Sequence, residues 1–136
     1  MAVVMELLRA EEGGAISFGN HRLEQKAKLE NFEHMGDLWK IKTYKTMTKL
    51  EKNGMFVYES EPGTSVANFK ETEEGICFTV EGDEDAQITV GLQEKTEYEV
   101  FVNHESIGKM STNLGGKLNL SVELAEAGEV PVKIVK

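Results

Sequence analysis

Apolar and polar residues alternate with period two in several short stretches, the pattern of half-buried strands rather than of helices. Ile76, Phe78 and Val80 share one face of one stretch, and Ala86, Ile88, Val90 and Leu92 one face of the next. Farther on, Leu118, Leu120, Val122 and Leu124 alternate with Lys117, Asn119, Ser121 and Glu123. Val130, Val132 and Ile134 form a last apolar set, and Leu38–Thr43 sets Trp39 and Ile41 opposite Lys40 and Lys42. A one-residue slip would expose each set, so strand register is well specified. Met1–Arg9 reads as a first strand, its apolar run interrupted by Glu6. His21–His34 resists this pattern. It holds good helix formers behind Asn20, a competent cap, yet Leu29 and Phe32 do not continue the stripe of Leu23 and Ala27. It reads as a strand with a bend, with one short helix in 21–34 as the alternative.

Turn signals recur at short, fairly even intervals, from Gly13-Gly14 and Gly19-Asn20 to Gly128. Asn53-Gly54 is the strongest, because a type I′ hairpin turn needs positive φ at both central residues. It pairs Lys45–Lys52 with Met55–Glu61. Asn103-His104 reads as a hairpin tip between Tyr98–Val102 and Ile107–Ser111. Short strands broken by regular turns specify an all-β fold of about ten to twelve short strands, an antiparallel β-sandwich or two packed small sheets. Residues 1–136 read as a single compact domain, with a sub-sheet boundary near 61–64 at Pro62-Gly63.

Composition agrees with a packed core: of 136 residues, 40% are apolar and 29% charged. The formal charge of −9 argues against nucleic acid as a partner, since neutralising phosphates needs surplus Lys and Arg. That charge is uneven. Residues 1–68 carry 9 basic and 10 acidic side chains and residues 69–136 carry 6 and 14, so the halves are electrostatically complementary. One cysteine excludes an intrachain disulfide and a Cys-rich zinc module. No apolar run is long enough for a membrane span, and Met1–Arg9 lacks the basic start of a secretory signal; the expected compartment is the cytoplasm.

Catalytic patterns are sparse. Gly-x-Ser-x-Gly is absent, and Cys77 sits among acids that would raise its pKa, which reads as a partly covered structural thiol. His21, His34 and His104 show no metal-ligand spacing, and no phosphate-binding glycine loop is present. The acidic run Glu81-Gly82-Asp83-Glu84-Asp85 has oxygen donors for a cation but not the spacing of an EF-hand, and reads as a solvated turn. Many acids are present, so no pair stands out as a glycosidase dyad. No catalytic residue, cofactor or metal site is therefore assigned. Leu38–Leu50 holds four lysines, no acid and the only Trp. It reads first as a strand pair with Trp39 in the core and a solvated lysine face. Alternatively Trp39, Tyr44 and Tyr58 form a ligand or partner surface. Met55–Tyr58 is apolar on both faces, and so is either central or covered by another subunit.

Three stretches carry a resemblance: Asp37–Thr43, Met47–Ser60 with Pro62-Gly63-Thr64, and Glu97–Asn103 with Asn113–Leu124. On these the chain resembles small bacterial all-β proteins that bear the label endosialidase. The Asn113–Leu124 hairpin is also similar to terminal hairpins of β-sandwich modules appended to polysaccharide-degrading enzymes. The first likeness carries over no catalytic residue. Endosialidases are large trimers built on a propeller that 136 residues cannot hold. Arg9 and Arg22, the only arginines available to fork around a carboxylate, lie far from the matching motifs. The expected function is a non-enzymatic structural or protein-interaction module, self-associating or binding another protein. The alternative is a carbohydrate-binding module whose partner is a glycan.

Overall fold

The computed structural model describes residues 3–136 as two antiparallel sheets packed face to face in a β-sandwich. Numbered in chain order, the seven-stranded sheet runs β1 (Leu8–Ala10), β2 (Ile16–Phe18), β7 (Ser65–Glu71), β8 (Gly75–Glu81), β13 (Val130–Val135), β10 (Glu97–Val102), β11 (Glu105–Ser111). The six-stranded sheet runs β12 (Lys117–Val122), β9 (Ala86–Gly91), β6 (Met55–Glu61), β5 (Thr48–Lys52), β4 (Asp37–Thr43), β3 (Ala27–His34). The only helical element among the described residues is a 3₁₀ turn at Glu12–Gly14.

The alternating stretches are strands in the expected register. β12 buries Leu118, Leu120 and Val122 and exposes Lys117, Asn119 and Ser121. Asn53 and Gly54 take φ of 52° and 79°, as a type I′ turn demands, and join β5 to β6. Among the described residues there are thirteen strands, above the expected number. β1 and β2, three residues each, are too short to show an alternation.

Several expectations need correction. Met1 and Ala2 lie outside the described residues, and Val3–Leu7 is not a strand. There Leu7 N–H donates to Val4 O and Leu7 takes φ 72°, so pairing starts only at Leu8. Within 21–34 no helix forms. Residues 27–34 are the bent strand β3, with the bend at a bulge between Leu29 and Phe32 where Asn31 takes φ 60°. Asn20 caps nothing helical, and its side-chain oxygen instead accepts from the Arg22 N–H at 3.1 Å. The chain does change sheets at 61–64, but this does not divide it into two sub-sheets. Residues after 64 return to the six-stranded sheet as β9 and β12, while β1 and β2 lie in the seven-stranded one. The electrostatically different halves are thus interleaved in both sheets and are not two bodies that could dock. Three of the four lysines of β4 and β5 find local partners: Lys40 lies 3.8 Å from Glu30, Lys49 3.8 Å from Glu51 and Lys52 2.8 Å from Glu71.

The centre of the core is aromatic. Tyr58 from the six-stranded sheet inserts among Phe18, Phe69 and Phe78 of the other sheet, with ring centroids 5.2, 6.4 and 5.7 Å away. Edge-to-face pairs of this kind add to simple area burial. The Tyr58 hydroxyl is satisfied by Thr64 Oγ1 at 2.7 Å, and burial pushes its pKa well above the ordinary phenol value. From Thr64 a buried chain of polar contacts continues: Ser60 Oγ at 2.8 Å, and Thr48 Oγ1 donating to Thr64 O at 2.7 Å. Thr48 Oγ1 also meets Thr43 Oγ1 at 2.8 Å, which accepts from the Asn20 N–H at 2.9 Å. These hydroxyls tie β4, β5 and β6 to the segment that crosses between sheets.

Candidate functional site

Two of the three aromatic residues read as a ligand surface lie in the core. Trp39 is 5% exposed and Tyr58 0%. The cause for Tyr58 is a bulge in β6: Leu50 pairs with Tyr58 but Glu51 with Phe56, so Val57 is an extra residue and both Val57 and Tyr58 turn inward. Trp39 packs beside His34, its indole N–H donating to the His34 carbonyl at 3.4 Å, with the Lys52 ammonium 5.4 Å from its ring centroid. Only Tyr44 remains half-exposed, at the end of β4 near Lys26. The three form no common surface. Met55–Tyr58 resolves as a central strand, since β6 lies between β5 and β9. Phe56 sits against Gly91, and the Lys117 ammonium lies 4.6 Å from its ring.

An open concavity lies on the outer face of the other sheet. A groove of about 460 Å³ crosses β7, β8, β13 and β10, with Cys77, Thr79, Phe101 and Pro131 along its bed. Asn68, His104 and Lys133 add polar groups. Local sequence explains the shape. β7 bulges between Ala67 and Lys70, with Asn68 at φ 54°, and the β10–β11 pair bulges at Val100/Phe101. Such bulges bend a strand and re-aim its side chains, and here they bracket the groove. Pro131 has no N–H to give, and it falls one residue beyond the last β10–β13 pair, Val102 with Val132. There the Asn103-His104 turn takes over, both residues at positive φ. Cys77 is exposed on this face, not partly covered as expected.

A second polar cluster was not legible in the sequence. His21, 3% exposed, meets Ser65 Oγ through Nδ1 at 2.7 Å, and its Nε2 lies 3.6 Å from Asp83 Oδ1. The backbone N–H of His21 also donates to Ser65 Oγ, at 3.3 Å. The order Ser, His, Asp is that of a hydrolase triad, but Ser65 is 0% exposed and no substrate carbonyl can reach it. Nε2 is buried without a hydrogen-bond partner. Burial holds the His21 pKa below its ordinary value; Asp83 and Glu81 oppose this shift, and the Arg22 guanidinium reinforces it.

No family model, curated protein or solved structure matches the chain. The site therefore stands on its own geometry.

The acidic run has divided duties. Asp85 Oδ1 accepts the N–H groups of Leu124 and Ala125, both at 3.0 Å, while Asp83 faces His21 and Arg22. Among the described residues no three His, Cys, Asp or Glu side chains are arranged to hold a metal ion. Nor is any helix there long and apolar enough to cross a membrane.

His21 gives a pH prediction with a definite sign. Its folded pKa is depressed, so the fold holds the neutral ring. The stabilisation from His21 is complete above the unfolded pKa of about 6.5 and is lost as pH falls through the folded value. Chemical denaturation at pH 7.5 and 5.5 should show a loss of stability in the wild type that shrinks in His21→Gln. An equal loss in both proteins would contradict it.

Proposed function

We propose that this chain is a non-enzymatic interaction module that binds a partner protein in the groove on the outer face of its seven-stranded sheet. The observation that carries this reading is the groove itself, with half-exposed Phe101 and Pro131 at its centre between two bulges. Large apolar side chains on the solvent face of a sheet are costly to leave uncovered, and concave apolar surfaces with a few polar groups are the usual form of binding sites. Lys133 supplies the one fixed charge, so the favoured occupant is an apolar segment carrying a carboxylate. The thiol of Cys77 has no role in this reading.

A second reading, a carbohydrate-binding module, rests on a specific arrangement. A half-exposed Phe101 ring with Asn68, Thr79 and His104 around it offers a stacking plane and hydrogen-bonding groups for a sugar. Both readings replace the Trp39–Tyr58 surface, which is closed.

One experiment separates them. Wild type and Thr79→Arg are screened in parallel against a display library of acidic, apolar peptides and against a glycan array. Thr79 points into the groove from a central strand, so arginine there should fill it while leaving the core intact. The expected result is peptide ligands bound by wild type and weakened about 30-fold or more in the variant, as for a central contact residue. Glycan ligands with the same dependence favour the second reading. Ligands that bind both proteins equally would sink the groove as the working surface.

A further inference from the structure

A second cavity, of about 210 Å³, lies between the two sheets at the end where the Met35-Gly36 turn joins β3 to β4. It shares no residue with the outer groove. Trp39 of β4 lines it from one sheet, and Ile16 of β2 and Phe69 of β7 line it from the other. These three are buried and form its floor, while His34, Met35, Asp37 and Glu71 are half-buried or exposed and form its rim. An apolar cavity of about 150 Å³ accepts a benzene ring, so there is room here for one ring and a short arm. Gly14 also lines the cavity, and a Cβ there would stand 3.0 Å from Met35 Sδ. Met35 is 75% exposed, and its unbranched thioether is free to fold over an occupant.

The hydrogen-bonding groups of the rim are one-sided. Two side-chain donors line the cavity, and both are spent within the chain. The Trp39 indole N–H goes to His34 O. His34 Nε2 lies 3.1 Å from Gly14 O and must carry the proton there, because a carbonyl only accepts. The carboxylates are only half used. Asp37 Oδ1 accepts from Asn53 Nδ2 and Glu71 Oε1 from Lys52 Nζ, both at 2.8 Å. Asp37 Oδ2 and Glu71 Oε2 have no hydrogen-bond partner among the described residues. Lys52 neutralises Glu71, but Asp37 meets only a neutral amide. What the rim lacks is a cationic donor.

We infer that this cavity binds a small organic ammonium, its apolar body on Trp39 and Phe69 and its N–H groups on Asp37 and Glu71. The inference is independent of the outer groove and of its occupant. Lys52 shows the chemistry in place: its ammonium lies 5.4 Å from the Trp39 ring centroid and 2.8 Å from Glu71. An aromatic face beside a carboxylate attracts a cation through the ring quadrupole and the charge together. A neutral alcohol of the same shape forgoes the stronger hydrogen bond that an ionised donor makes. A carboxylate ligand would meet Asp37 with like charge.

Trp39 is the only tryptophan, so its emission reports on the cavity floor directly. The full chain is titrated with 2-phenylethylamine, 2-phenylethanol and 3-phenylpropionate, following Trp39 fluorescence and the melting temperature. The amine should give a saturable response and raise the melting temperature. The alcohol and the carboxylate should bind at least about tenfold more weakly, as expected for loss of a hydrogen bond between charged groups. Asp37→Asn keeps an oxygen for Asn53 but removes the charge, and should weaken the amine about tenfold without changing the alcohol. Three probes bound equally, or an amine that binds nowhere up to its solubility, would overturn the site. So would an amine affinity unchanged by Asp37→Asn. Loss of the amine response in Thr79→Arg would place the amine in the outer groove instead. The comparison of probes on wild type decides even where a variant fails to fold.

Discussion

Replacing Tyr58 with alanine is expected to remove about 3–5 kcal/mol of folding stability, a large share of the roughly 5–15 kcal/mol a domain has. The ring fills the space between Phe18, Phe69 and Phe78, and the sheets cannot close over its loss without moving three aromatic neighbours. The hydroxyl contributes separately. Tyr58→Phe keeps the ring but leaves Thr64 Oγ1 with one partner fewer, and should cost about 1–3 kcal/mol. Urea unfolding followed by the fluorescence of Trp39 measures both, since this buried indole passes into water on unfolding. A loss below about 1 kcal/mol for Tyr58→Ala would contradict a packed aromatic centre.

The second large effect belongs to Gly63, where the chain crosses between sheets. Its N–H donates to Lys45 O at 3.0 Å, which brings the backbone of the crossing against the β4–β5 turn. A Cβ at position 63 would collide with the backbone oxygen of Tyr44, and no flexible side chain is there to yield. Gly63→Ala should therefore cost about 4 kcal/mol or more, the range reserved for disrupted backbone packing. Gly54→Ala is the control. At φ 79° with open space around it, it should cost only the left-handed penalty of about 1–2 kcal/mol. Equal losses in the two variants would mean that the crossing is not tightly packed.

What was legible in the sequence follows from how local each signal is. The stretches Ile76–Val80, Ala86–Val90, Leu118–Val122 and Val130–Ile134 each declare an inner and an outer face within five residues. Hence the all-β sandwich could be read without a template. Asn53-Gly54 likewise needs only two residues to fix its turn. Tyr58 shows where this fails: a bulge at Val57 puts two consecutive residues on one face, which alternation reads as a strand apolar on both sides. The groove was less accessible still. Cys77, Phe101 and Lys133 meet only after β8, β10 and β13 are aligned. The His21–Ser65–Asp83 cluster joins three loops and strand ends and had no local hint.

The position of β13 bears on how the chain is made. It is the last strand in sequence but lies in the interior of its sheet, between β8 and β10. During synthesis every earlier strand can leave the ribosome while that sheet remains in two unjoined parts, β1-β2-β7-β8 and β10-β11. Val130, Val132 and Ile134 then close the gap as a final stave, so the seven-stranded sheet becomes whole only once β13 is in place and not progressively.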